Sequence, residues 1–413
     1  MQTIKNALSY LWYVFSLDWF QLVSTIIDVF VLVWSVVNWR EIVLQPSFLL
    51  LFVGVLVNFV WQIFNVSQHF KFLVREDPKK SLMSLLEDEN KKKDFTRIKV
   101  KEELARLRMP YSVSSTNEVL ENQAISALLR DTDKPIIPVL SKTKEKETRM
   151  YVRQYKETLL KFLNQKWYDI SKNRGQFTND KKVCLGSEIF VDGGTYKWRI
   201  AKGCYYNGYL TNTLFSQYVG GNHYVLYPPM NVNNTAIGAL GSSDFSDHIG
   251  VSTLLYTTDG YVVVFQQAGN AGQYANRYMP SGSGSLDFSD YHSGEDFRSM
   301  IIRGAERELG EESLLTKHLS VKSRNKEGIR IETKVLSFYR DLERGGKPEF
   351  CCVSMVNKEK DYIMEYISAD TKELANDKLW VELADEKAWQ ALFPKASLSL
   401  RMNYQALINS LKV

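Results

Sequence analysis

The sequence predicts an α+β fold in three parts: an N-terminal two-helix transmembrane hairpin, a charged helical linker, and a C-terminal mixed sheet with packed helices. Three observations predict it. Two apolar runs of about 20 residues open the chain. Charged stretches with helical spacing follow them. From residue 181 onward, short β-prone runs alternate with Gly, Asn and Asp turns. The corresponding boundaries are 1–66, 67–180 and 181–413.

The first run is Phe20 to Trp39 and the second Ile42 to Phe64. At 1.5 Å per residue, about 20 helical residues cross a ~30 Å hydrocarbon core. Little beyond Arg40 and Glu41 joins them, so the two helices form a tight hairpin. Only Lys5 precedes the first run by way of a lysine, and no small-residue cleavage pattern follows it, which disfavours a signal peptide. Lys71, Arg75, Lys79, Lys80 and Lys91 to Lys93 follow the second run, whereas the loop holds Arg40 alone. The positive-inside rule then places both termini in the cytoplasm. Trp12, Tyr13, Trp19, Trp39, Trp61 and Phe64 suit interfacial belts. Asp28 lies near the middle of the first run, where a carboxyl group needs a partner. Asn58 on the second run is the candidate to meet it, either as packing within the hairpin or on a face used for assembly.

Of the 413 residues, 45% are hydrophobic, which allows a sizeable core, and the net charge is +5. That charge is too weak to argue for binding a nucleic-acid polymer, but it fits a chain beside an anionic membrane face. Cys184, Cys204, Cys351 and Cys352 lack metal-site spacing and read as reduced thiols in a cytosolic compartment. Adjacent Cys351 and Cys352 should alternate across a strand.

In the middle of the chain, Ser81 to Met109 reads as a charged helix ended by Pro110 and the YSVSST stretch. DTDKPIIPVL reads as a loop, and Glu145 to Ser171 as a second charged helix. The clearest hairpin is Ile249 to Gln267, turning through Thr257–Gly260. Ile329 to Leu342 and Glu349 to Asn357 read as strands. Asp385 to Phe393 and Ser397 to Leu411 read as helices.

One segment carries chemistry: Arg307-Glu308-Leu309-Gly310-Glu311-Glu312, within a helix predicted over Glu295 to Leu315. The glutamates stand at i, i+3 and i+4, so they share a helix face and repel. A divalent cation such as Mg²⁺ removes that repulsion, because hard cations take carboxylate oxygens. Clustered glutamates are more often a solvated face. Here Phe297, Ile301 and Ala305 fall on the same line at about 100° per residue, so the stripe should face the protein.

These residues resemble the REUxEE core of the Nudix box, U being a bulky aliphatic residue. Met279 to Ser285 looks like the glycine-bearing turn that heads the box, with Gly282 and Gly284 as its ligand-loop residues. The resemblance implies a Nudix-like domain, Mg²⁺ as cofactor, Glu308, Glu311 and Glu312 as metal ligands, and Arg307 orienting a glutamate by salt bridge. The upstream box glutamate falls on Ser299, its glycine on Ser293, and the closing glycine on Leu314. A degraded box on a retained fold is what an enzyme turned ligand sensor would show.

With the hairpin and linker, the chain is similar to the two-transmembrane Nudix effectors of CBASS, the bacterial cyclic-oligonucleotide antiviral system. That resemblance implies a two-pass protein of the bacterial inner membrane whose partners are the lipid bilayer, a cyclic nucleotide second messenger and further copies of itself. Sensing the messenger would drive oligomerisation of the hairpin and disrupt the membrane. A membrane-tethered, Mg²⁺-dependent hydrolase of a nucleoside diphosphate derivative stands as the alternative, and an inert scaffold as a third reading.

Overall fold

The computed structural model describes residues 2–17, 19–39, 45–74, 95–97, 111–116, 118–172, 177–219, 222–226, 237–267, 276–313, 328–367 and 375–411. Three helices come first: α1 (Gln2–Leu17), α2 (Trp19–Val37) and α3 (Pro46–Val74). Pro46 opens α3, where its missing N–H has no intrahelical partner to lose. Within α3, Pro46–Phe64 is long and apolar enough to cross a membrane, with a mean hydropathy of 2.1. The apolar stretch of α2, Val23–Val37, falls short of that length, so one such helix is found among the described residues where two were expected.

α2 and α3 pack side by side. Asn58 Nδ2 donates to Asp28 Oδ2 at 2.6 Å, so the two polar residues singled out in the apolar runs meet. Gln62 Nε2 donates to the same oxygen at 3.0 Å and to Ser24 Oγ at 2.9 Å. Around this polar knot the outward faces are apolar: Phe30, Val37 and Leu50 are each more than 70% exposed.

α1 departs from expectation. Tyr13 does not lie in an interfacial belt but is buried with Tyr10 and Leu17 in an aromatic core. An aromatic residue with a hydroxyl suits either site; packing against Tyr206 at 5.1 Å and a 2.6 Å bond to Asn207 decide it.

Most of the stretch expected as a helical linker, 75–94 and 98–110, lies outside the described residues. Phe95–Arg97 forms strand β1, not helix. Residues 111–172 are part of the folded body. They form β2 (Ser112–Val113), β3 (Val119–Glu121), α4 (Gln123–Arg130), β4 (Ile136–Ser141), α5 (Thr143–Gln154) and α6 (Lys156–Lys172). β4 replaces the loop expected at DTDKPIIPVL. Its Pro138 is tolerated because β4 is an edge strand, where one missing N–H breaks no ladder. The helix expected over 145–171 is broken at Tyr155 into α5 and α6.

The chain continues through β5 (Lys181–Leu185), β6 (Phe190–Asp192), β7 (Thr195–Cys204), the short α7 (Tyr205–Gly208) and a π-turn (Tyr209–Thr213). β8 (Ser216–Val219), β9 (Asn222–Leu226), β10 (Gly250–Tyr256), β11 (Tyr261–Gln267), β12 (Tyr278–Met279) and β13 (Gly282–Ser285) follow. The acidic helix is α8 (Phe297–Ser313). Then come β14 (Ile331–Asp341), β15 (Lys347–Val356), α9 (Lys360–Ile363), β16 (Ala375–Glu382), α10 (Glu386–Leu392) and α11 (Leu398–Leu411).

The main sheet runs β12-β11-β10-β15-β14-β3-β2, with β13 on β10 and β16 on β11; β10 and β15 are parallel. The β10–β11 hairpin turns where expected, with Gly260 at φ +87°, a conformation that favours glycine. A smaller sheet, β4-β7-β5 with β6, shares a core with the main sheet and α8, in which Trp198 stacks on Phe297 at 4.8 Å and meets Phe338 and Phe350. Cys351 and Cys352 point into different clusters, as strand alternation requires, and all four cysteines are free.

Candidate functional site

The acidic helix closes one side of a cavity of about 460 Å³. β13 forms the adjoining wall and is pressed against α8. A Cβ at Gly282 would sit 2.5 Å from the backbone of Leu309, and one at Gly284 would strike the Glu308 carboxylate. These glycines therefore serve close packing of strand on helix. Gly284 also borders the cavity; Gly282 does not.

The three glutamates take different positions. Glu308 is 8% exposed, and Arg307 Nη1 donates to its Oε1 at 2.8 Å. Glu312 accepts from the Ser283 backbone N–H at 3.0 Å. The Glu311 side chain is 60% exposed and only loosely tied to Arg307, at 3.5 Å. At 100° per residue, Glu311 lies back from Glu308 on the solvent flank while Glu312 is carried under β13. Burial pushes Glu308 up to about 7, opposed by Arg307. Burial, and then the Glu308 charge, hold Glu312 well above the carboxylate range.

Arg307 does more than orient one glutamate. Its Nη2 donates to Asp290 Oδ2 at 2.9 Å and to the Ser285 carbonyl at 3.2 Å, and Asp287 lies 3.6 Å from Nη1. Asp287 and Asp290 cap the short turn Phe288–Asp290 reciprocally, which fixes both acids. The D-x-x-D spacing just before the helix was the signal for them.

Among the described residues, no group of three or more His, Cys, Asp or Glu is placed to hold a metal ion. Glu308 faces Arg307, Glu312 faces an amide and Glu311 faces solvent. Arg307 is the cation that Glu308 and Glu311 share.

Across the cavity lies a second charged cluster. Lys347 pairs with Glu349, and Arg344 stands 3.3 Å from Glu349 and 3.7 Å from Asp341. Burial raises Asp341 to about 6, opposed by Arg344, and burial lowers Lys347, opposed by Glu349. Lys182 pairs with Asp287 at 2.5 Å. Tyr205, Tyr209 and His248 also line the cavity. Burial, and then Lys347 and Lys182, push His248 down to about 3, so it is neutral at physiological pH. These residues come from β5, α7, the π-turn, the segment just before β10, β14, β15 and the connection between those two strands, and no local spacing joins them.

No family model matches the chain, and no curated protein matches it. Among solved structures, it is similar to an Ap4A hydrolase of C. elegans, with 17% identity over 40% of this chain and 98% of that one, at a TM-score of 0.25. A MutT protein of Methanosarcina mazei is 15% identical over 40% of this chain and 96% of that one, at 0.26. A Nudix hydrolase of M. smegmatis is 14% identical over 42% of this chain and 91% of that one, at 0.25. Likenesses this slight carry no conclusion about activity or substrate.

Proposed function

We propose that this chain is a membrane-anchored receptor of the CBASS effector type. Its Nudix-like body binds a cyclic oligonucleotide in the ion-paired cavity, and occupancy drives several copies to associate through their membrane helices and breach the bilayer. The observation that carries the reading is the lining of the cavity. Lys182, Arg307, Arg344 and Lys347 present cationic donors, each paired with a carboxylate. A phosphodiester makes the same charge-assisted bonds and can take the place of those carboxylates. The displaced acids sit in surroundings that already favour protonation, as Glu308 and Asp341 show. Tyr205 and Tyr209 offer rings beside the charges for a base.

The exposed apolar faces of α2 and α3 support the membrane half of the reading, since such a surface would be expensive in water. Two helices enclose no channel, so activity requires a homo-oligomer. Both termini would face the cytoplasm of a bacterial inner membrane.

A second reading, a tethered hydrolase of a nucleoside diphosphate derivative, is favoured by Glu308 alone, whose value near 7 suits a general base. One experiment separates the two: full-length protein in dye-loaded liposomes, offered cyclic di- and trinucleotides and, separately, nucleoside diphosphate derivatives. The receptor reading expects one cyclic nucleotide to release dye without being consumed. Turnover of a diphosphate without leakage would establish the hydrolase instead.

A further inference from the structure

We propose that residues 205–213, the short helix α7 and its π-turn, are the coupling element between the cavity and the membrane helices. The inference rests on the receptor reading and adds its route. This element has two faces. On one, Tyr205, Gly208, Tyr209 and Asn212 border the cavity. On the other, Asn207 accepts from Tyr13 Oη at 2.6 Å, and Tyr206 meets Tyr13 and Tyr10 edge-on. Tyr13 belongs to α1, and a single residue, Asp18, separates α1 from α2. α1 is further fastened to α5, where Arg149 Nη2 donates to Ser16 Oγ at 3.0 Å.

The element is held tightly at Asn212 and imperfectly around it. Asn212 and Asp247 form a reciprocal pair, Nδ2 to Oδ1 at 2.9 Å and backbone N–H to Oδ1 at 2.8 Å, and Asn212 also donates to the Arg344 carbonyl. Arg344 is one of the cavity's cations, so a ligand that moves it pulls on Asn212 directly. Asp247 is a buried non-glycine residue at φ +46°, a strained backbone of the kind that gathers at switch regions. Two buried polar atoms next to the element lack a hydrogen-bond partner: His248 Nε2 on the cavity side and Glu145 Oε2 under Asn207. The His248 ring also fills the space that a Cβ at Gly208 would need. A π-turn in a helical segment is itself a common mark of function. Strain and unmet polar groups leave a second arrangement of 205–213 within reach, and its two faces tie that arrangement to both sites.

Coupling of this kind is reciprocal, so it can be measured without ligand. The experiment is hydrogen exchange on the full chain in lipid nanodiscs, parent against Asn212→Ser and Tyr13→Phe. Asn212→Ser releases the cavity-side anchor and should speed amide exchange in α1 by about fivefold or more. Tyr13→Phe keeps the ring and loses the bond to Asn207; it should speed exchange at residues 247–250 and 344–346. If each variant loosens only its own face, the coupling is refuted. Cyclic di- and trinucleotides that fail to bind the parent would remove the receptor reading while leaving a measured coupling in place.

Discussion

Replacing Glu308 with Gln tests whether the acidic helix carries a charge that the fold resists. Glu308 is 8% exposed, packed over Gly284 and paired on one oxygen with Arg307. Its folded value of about 7 stands above the ordinary 4.5. Between those values the folded protein keeps a proton that the unfolded chain has released. The contribution is therefore fully present below pH 4.5 and lost as pH rises through 7. Moving a carboxyl from 4.5 to about 7 corresponds to on the order of 3 kcal/mol. Gln keeps the shape and still accepts from Arg307 through its amide oxygen, but it cannot ionise. At pH 8 the variant should be more stable than the parent by up to that amount, a rise in Tm of about 6 °C at roughly 2 °C per kcal/mol for a large domain. At pH 4.5 the two should melt together. The assay is thermal unfolding of full-length protein in detergent from pH 4.5 to 8. A variant that melts lower than the parent at pH 8 would refute the reasoning, since the Arg307–Glu308 pair would then outweigh the burial of its charge.

Four further outcomes are expected. Gly282→Ala forces a methyl into the backbone of Leu309 and should destabilise by about 1–3 kcal/mol, read as a lower Tm; an unchanged Tm would mean that β13 and α8 part easily. Lys144→Met strands the buried Asp247, to which Lys144 Nζ donates at 2.7 Å, and should remove about 3–5 kcal/mol of stability by denaturant titration. Asp28→Leu takes the shared acceptor from Asn58 and Gln62 and should change oligomer size in detergent, measured by light scattering, with Asp28→Asn intermediate; identical sizes for all three proteins would end an assembly role. A cysteine placed at Glu41 should react with an impermeant maleimide from outside intact cells. The native thiols should stay silent, since three of them are buried, with burial pushing Cys351 up to about 12; labelling only after lysis would reverse the topology.

Short-range pattern was a reliable guide wherever a structure is made of near neighbours. The β10–β11 hairpin needed only two β-prone runs and a glycine at the turn. α8 needed only a 3.6-residue stripe, and that stripe turned Phe297, Ile301 and Ala305 inward. Even the meeting of Asp28 with Asn58 followed, because a tight hairpin leaves a polar group on one helix little choice of partner. The reading failed where a neighbour from far along the chain decides. Ile136–Ser141 follows Pro135, contains Pro138 and reads as a loop until β7 is alongside to pair with it. Tyr13 reads as a membrane-surface aromatic until Tyr206 and Asn207 are in place.

The sequence by itself determined that this chain has an apolar N-terminal pair of helices, a β-rich body and an acidic helix whose glutamates share one face, because periodicity and local repulsion are properties of residues a few positions apart. Only the tertiary structure decided what those glutamates face. Lys182, Arg344, Lys347 and Glu349 reach the same cavity from segments up to 167 residues apart in the chain, and Arg307 sits among Asp287, Asp290 and Glu308. The balance of charge in a cavity is a sum over whatever the fold brings within a few ångströms, and no spacing along the chain encodes that sum.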